Sequence, residues 1–182
     1  MTELRVVRAT VHDQELVVDI LNDAARRLAE RGLDQWPAEF EPGDWRLQRL
    51  DYHLDRGSVY LALVDGTTVA TMALTDWSDP DVAAGWPDEP AQAAHIYRLA
   101  VRSRAAGRAI GVQMINWAES WAHTHGMAWL RLDCSRTNTA LHDYYLRLGF
   151  VRVGTIWPLN GRKTGALFQR SVPSNSSLAI GA

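Results

Sequence analysis

Between Val101 and Gly111 the chain reads V-R-S-R-A-A-G-R-A-I-G, a strand-to-helix turn in which small residues are interleaved with arginines. A helix that opens on such a turn exposes backbone N–H groups with no intrahelical partner, at the positive end of its dipole. Gly107, Ala109 and Gly111 are small enough to let anionic oxygens reach that backbone, and Arg102, Arg104 and Arg108 add positive charge, so the segment reads as a phosphate-binding turn. Surface turns that bind nothing share this composition, so the reading needs support from elsewhere in the chain. A dinucleotide-binding unit also runs strand, glycine turn, helix and acid-terminated strand, and Asp133 ends WLRLD. Gly107 and Gly111 do not make G-x-G-x-x-G, however, and no G-K-[S/T] closes the turn as in a nucleotide-triphosphate loop.

Other residues can move protons. Period-two alternation along AHIYRLAV puts His95, Tyr97, Leu99 and Val101 on one strand face, so His95 is a candidate general base, acting directly or through water. Asp76 and Asp133 are its rivals, though Asp133 may simply close its strand. Tyr145, a phenol with an ordinary pKa of about 10, stays protonated at neutral pH and can act as a general acid, with Tyr144 as the competitor in register. His123 and His125 are two apart and do not share a helix face as metal ligands would, so no metal is expected. Trp117 and Trp121, four apart, read as core. The lone Cys134 lies in an apolar run, where a buried inert thiol is expected rather than a nucleophile.

These groups must be held by a modest scaffold. The 182 residues suit one domain, expected over 1–172, with a disordered tail over 173–182. A net charge of −2 argues against a nucleic-acid partner. No apolar run is long enough to span a bilayer, and MTELRVVRAT alternates as a strand rather than as a signal peptide, so a cytoplasmic protein without a membrane partner is expected. A strand Leu4–Arg8 leads through a capping Thr10 into a helix from about Val11 to Arg31, with Val17, Ile20, Leu21, Ala24 and Leu28 on one face. A second helix is expected from Asp44 to about Arg56, then a hairpin about Asp65-Gly66. Residues 77–90 read as a long loop. After it come a strand, the glycine turn with its helix to about His125, the strand WLRLDC, a helix from Asn138 to Leu148, and the strands FVRVGTI and ALFQRS.

The segment from His95 to Gly154 resembles the acetyl-CoA-binding core of the GNAT (GCN5-related N-acetyltransferase) superfamily. Arg104-Ala-Ala-Gly107-Arg-Ala109 is similar to the family's [Q/R]-x-x-G-x-[G/A] pyrophosphate loop, preceded by RLAV and followed by Ile110-Gly111. Downstream, Asn138, Tyr145 seven residues on, and Gly149-Phe150 resemble the family's second motif. The resemblance implies an α/β (α+β) fold: a mixed, mostly antiparallel sheet of about six or seven strands, about four flanking helices, and a V-shaped opening between strands 4 and 5. It further implies that Leu99, Ala100 and Val101 lend backbone groups to the pantetheine arm. Arg104, Gly107, Arg108, Ala109, Ile110 and Gly111 would hold the pyrophosphate, mainly through backbone amides, and Asn138 would bond the cofactor nearby. Tyr145 would protonate the leaving thiolate as acetyl passes directly from acetyl-CoA, the co-substrate, to an amine in a ternary complex.

The acceptor, a small-molecule or peptide amine, is not named by the sequence. In this family its pocket draws on the first helical loop and variable strand connections, here Asp34, Gln35 and Trp36 and the segment 76–89 with Asp76 and Trp77. Asp76, Asp79, Asp81, Asp88 and Glu89 could attract a cationic amine, and Trp36, Trp77 and Trp86 could form an aromatic wall; Asp133 is a further substrate-binding candidate. An acyl-CoA sensor that no longer transfers the group, and, less favoured, a nucleotide-binding oxidoreductase, are the alternatives. Association as a homodimer stays open.

Overall fold

The computed structural model describes residues 4–33, 35, 36, 40, 44–78, 80–86, 92–156 and 165–173. Its contacts group into two units, Met1–Leu74 with Tyr97–Ile115, and Thr75–Ile96 with Asn116–Ala182. The first unit begins with β1 (Leu4–Arg8) and a 3-10 turn at Val11–Asp13. Asp13 accepts both the N–H and the hydroxyl of Thr10, so the chain tightens for one turn and α1 starts only at Gln14, running to Glu30. Val17, Ile20, Leu21 and Ala24 are buried as the spacing predicts, and Leu28 is half-buried. Each fully buried aliphatic side chain contributes about 1.5–3 kcal/mol by leaving water, so this face, more than helix propensity, holds α1.

α2 (Trp45–Asp55) is capped by Asp44, whose carboxylate accepts the Arg46 N–H at 2.9 Å. β2 (Val59–Val64) and β3 (Thr67–Thr75) form the expected antiparallel hairpin. Asp65 and Gly66 take φ of 49° and 74°, the left-handed pair a two-residue turn of this kind requires. β1 pairs antiparallel with β2 from Leu4↔Val64 to Arg8↔Tyr60. The unit also holds the second half of β4 (Ala93–Val101) and the start of α4 (Ile110–Thr124).

The second unit contains the first half of β4, a short α3 (Pro80–Ala83), the rest of α4, then β5 (Trp129–Ser135), α5 (Thr139–Arg147), β6 (Val151–Ile156) and β7 (Gly165–Ser171). β4 and β5 are parallel, which demands a crossover connection, and α4 supplies it. β7 pairs antiparallel with both β5 and β6. With β4 common to the two units, the strand order is β1-β2-β3-β4-β5-β7-β6 in one seven-stranded sheet, with four helices of nine or more residues among the described residues.

Two expectations need correction. The stretch 77–90 is not simply a loop, because α3 forms within it and Trp86 is buried. The segment lies close on its own sheet: a Cβ on Gly154 would come within 2.9 Å of the Gly85 carbonyl oxygen. The alternation proposed for His95, Tyr97, Leu99 and Val101 is also interrupted, since Arg98 has φ 51° inside β4. A left-handed residue within a strand breaks the period of two, so Tyr97 and Arg98, adjacent in sequence, both meet α2. The tail expected over 173–182 falls outside the described residues beyond Pro173.

Candidate functional site

In the first unit β4 hands over to the glycine turn at Val101. The root of the turn is clamped to α1: the Arg102 guanidinium pairs with Asp19 at 2.7 Å, and the Ser103 N–H donates to Asp23 Oδ2 at 2.5 Å. Asp19 and Asp23 are four apart and therefore on one helix face. Arg102 also donates its N–H to the Val69 carbonyl at 2.8 Å, so its charge is committed to structure rather than left for an anion. Arg104 is exposed and turns its Nη2 to the Thr68 carbonyl at 3.3 Å, which leaves Arg108 as the exposed cation nearest the helix start.

Beyond this root the backbone itself takes the shape of a cradle. Gly107 has φ 78° and Ala109 φ 57°, both left-handed, on either side of Arg108. A Cβ added to Gly107 would meet nothing within 4 Å, so the glycine is there for its backbone sign and for the open space above it. The first Gln113 bond reaches back to the Ala109 carbonyl at 3.0 Å, so the N–H groups of Ile110, Gly111 and Val112 precede the helical ladder. Gly107 and Ala109 are exposed and Ile110 is buried, which pins the helix while leaving its first amides open to an anion.

Just upstream, the β4–β5 ladder stops at Ile96↔Leu132, although β4 continues to Val101 and β5 to Ser135. Leu99, Ala100 and Val101 therefore carry backbone groups that this ladder does not use. Among them Ala100 is buried, while Leu99 and Val101 are half-buried.

In the second unit Asn138 is the cap of α5. Its buried Oδ1 accepts the Leu141 N–H at 3.1 Å, so its side-chain amide N–H groups are what it can offer elsewhere. Tyr145 is buried against Phe150 and Phe168, with ring centroids 5.7 and 5.9 Å away. Burial raises its pKa, and Cys134, Tyr144 and Asp133 push the same way, so the phenol keeps its proton. Tyr144 is half-buried and its pKa is raised by burial alone. Cys134 is buried and its thiol is pushed up to about 12, chiefly by burial, consistent with the inert residue expected. Asp133 is half-buried beside Gly165, whose added Cβ would lie 3.6 Å from Oδ2.

His95 sits in a cluster that the sequence did not announce. It pairs in register with Arg131, a wholly buried arginine whose guanidinium lies 4.6 Å over the Trp86 ring and whose Nε donates to Gln169 at 3.2 Å. Trp86 meets the His95 ring edge-to-face at 5.6 Å. Burial first, and the Arg131 charge second, lower the His95 pKa to about 3. The ring is neutral at working pH and a weak proton acceptor. In the first unit His53 behaves alike: burial, then Arg98, Arg49 and Arg56, lower its pKa to about 3. Since the Ser58 hydroxyl donates to the His53 carbonyl at 3.0 Å, the His53 Nδ1, 3.0 Å from the same hydroxyl, is the donor of that pair.

Acid should therefore weaken the fold early. Below an unfolded pKa of about 6.5 the unfolded chain takes up protons at both histidines while the native state does not, so stability present above that pH is lost as pH falls toward 3. The slope is on the order of 1 kcal/mol per pH unit for each histidine. Thermal melts between about pH 7 and pH 5 should show a falling Tm, less steep in His95→Phe; a flat profile would contradict the burial of neutral rings.

The acceptor-side candidates are dispersed. Trp36 is half-buried and meets Phe40 edge-to-face at 6.4 Å. Asp76 is exposed and Trp77 half-buried, its carbonyl held by the Thr75 hydroxyl at 2.6 Å. Asp34, Asp79, Asp88 and Glu89 lie outside the described residues, as does the side chain of Asp81.

Known proteins share this arrangement. Over 147 residues, 80% of this chain and 81% of the relative, the sequence is 29% identical to YesJ of Bacillus subtilis, an uncharacterised N-acetyltransferase. A GNAT-family acetyltransferase from Listeria monocytogenes superposes with a TM-score of 0.75 at 26% identity, covering 93% of this chain and 95% of that one. The fold is also that of yncA, a putative acetyltransferase from Salmonella typhimurium solved with acetyl-CoA, at a TM-score of 0.63, 16% identity and 96% coverage of both chains. Residues 25–150, which include the glycine turn, Asn138 and Tyr145, match the acetyltransferase (GNAT) family, and the chain belongs to that family.

Proposed function

We propose that this acyltransferase is a cytoplasmic N-acetyltransferase that moves the acetyl group of acetyl-CoA directly onto a primary amine of a small molecule or peptide. The carrying observation is the turn at Gly107 and Ala109: two left-handed residues and a helix start present backbone amides to an anion at the position the family motif assigns to pyrophosphate. In this reading Gly107 to Gly111 hold the pyrophosphate with Arg108 as the supporting charge, Arg104 contributes backbone only, Leu99 to Val101 bond the pantetheine arm, and the Asn138 amide donates to the cofactor. Bound acetyl-CoA supplies an activated acyl group and a thiol leaving group. Tyr145 Oη–H donates its proton to the departing sulfur, a role suited to a phenol that burial keeps protonated.

His95 enters this reading as a neutral imidazole that passes a proton from the amine to water and does not retain it, because its conjugate acid is too strong to persist at neutral pH. Trp36, Asp76, Trp77 and Asp133 are proposed on the acceptor side.

The test mixes the purified chain and acetyl-CoA with a panel of primary amines and follows free thiol. Release with at least one amine is expected, together with a rise in Tm on adding CoA and none on adding NAD. Stabilisation by CoA without thiol release would favour a sensor, and stabilisation by NAD alone a nucleotide enzyme.

A further inference from the structure

α2 and β4 bring several guanidinium groups to one place in the first unit. Arg98, left-handed at φ 51°, has its Nη2 3.2 Å from the Arg46 carbonyl, one turn into α2. Tyr97, the preceding residue, packs 5.7 Å from the His53 ring on the same helix. Regular pleating would send these two side chains to opposite faces; the bulge sends both to α2. A left-handed arginine costs on the order of 1 kcal/mol or more, and what it achieves is to aim a cation at this spot. Arg46 holds Asp44 through Nε at 2.9 Å and lies 5.8 Å over the Phe40 ring, which meets Trp36 in turn. Arg49 stands one helical turn before His53. Arg46, Arg49 and Arg98 are all half-buried, drier than surface cations yet reachable from solvent. His53 is neutral among them, and Asp44 is held charged by the same arginines.

We infer that Arg98, with Arg49 and Arg46 beside it and the Trp36–Phe40 rings as an apolar flank, forms a subsite for a carboxylate on the acceptor, so that the preferred acceptors are amino acids carrying an apolar side chain rather than simple amines or polyamines. Guanidinium groups suit this task because their planar donors match a carboxylate, and partial burial strengthens the pairing. This inference rests on the acetyltransferase reading for its substrate class, but its test need not.

Binding of N-acetyl-L-phenylalanine and of N-acetylphenethylamine, which differ by the carboxylate, is measured by calorimetry on the full chain in saturating CoA. The carboxylate should tighten binding at least about tenfold, in line with one charge-assisted contact. Arg98→Met should remove that preference and Arg98→Lys should keep part of it; the methionine inherits the same φ, so it adds no new backbone strain. Arg49→Met provides an independent variant and should shrink the preference. Equal affinity of the two probes, a preference that survives Arg98→Met, or no binding of either at millimolar concentration would overturn the subsite. With L-phenylalanine against phenethylamine as acceptors, thiol release should show the same preference in KM. Loss of thiol release with every amine, while the binding preference persists, would count against the transferase reading and leave the carboxylate subsite standing.

Discussion

Gly107→Glu should raise the dissociation constant of CoA by at least about a hundredfold, the cost of placing a carboxylate among amides proposed to hold a pyrophosphate. Three effects must be separated. Any side chain at φ 78° is strained by roughly 1–2 kcal/mol, but a Cβ there meets nothing within 4 Å, so the fold should survive with a modest fall in Tm. Asparagine tolerates left-handed backbone better than most residues, so Gly107→Asn supplies the bulk without the charge and should weaken CoA much less. Calorimetric titration of both variants distinguishes electrostatic exclusion from general damage. If the glutamate variant bound CoA within a few fold of the parent while still melting cooperatively, the phosphate site would have to be sought elsewhere.

Tyr145→Phe is the second large effect. The ring packs on Phe150 and Phe168, contacts that phenylalanine preserves, so stability should change by about 1 kcal/mol or less. What disappears is the only proton donor the reading assigns to the thiolate. A lost general acid typically costs about ten to a thousandfold in kcat, and the CoA dissociation constant should stay within a few fold. Tyr144→Phe, half-buried one residue earlier, is the matched control and should do far less. Saturating-substrate kinetics decide: parental turnover in both variants would mean that water alone assists the leaving sulfur.

The readable features were those with local signatures. Asp65-Gly66 marks its hairpin because left-handed turns select such residues, and the face of α1 follows from spacing alone. The glycine turn was legible for the same reason, since Gly107 and Ala109 sit where the backbone must be left-handed. Features that depend on distant partners were hidden. Arg102 looked like a phosphate ligand until Asp19 was seen beside it. The deep burial of His95 depends on Trp86 and Arg131, 9 and 36 residues away, and nothing local to any of the three predicts that they meet. Asn138 was readable as a motif residue, but its capping bond to Leu141 was not anticipated. The left-handed Arg98 is the clearest miss, because arginine carries no preference for that backbone and only tertiary packing can impose it.

The contact of Gly154 with Gly85 has a consequence for how this enzyme can vary. Gly154 sits at a register irregularity of β6, and its hydrogen occupies the only room left under a neighbouring carbonyl, so even alanine there must displace backbone rather than a side-chain end. Gly66 differs: nothing lies within 4 Å of its missing Cβ, and only the sign of φ restricts it. Asparagine could therefore replace Gly66 at modest cost, whereas position 154 admits no substitute unless residue 85 moves with it. The two glycines of the contact are thus coupled, and a descendant of this chain that carries a side chain at one should carry a rebuilt 80–86 segment at the other, and with it a differently shaped cover over Arg131 and His95.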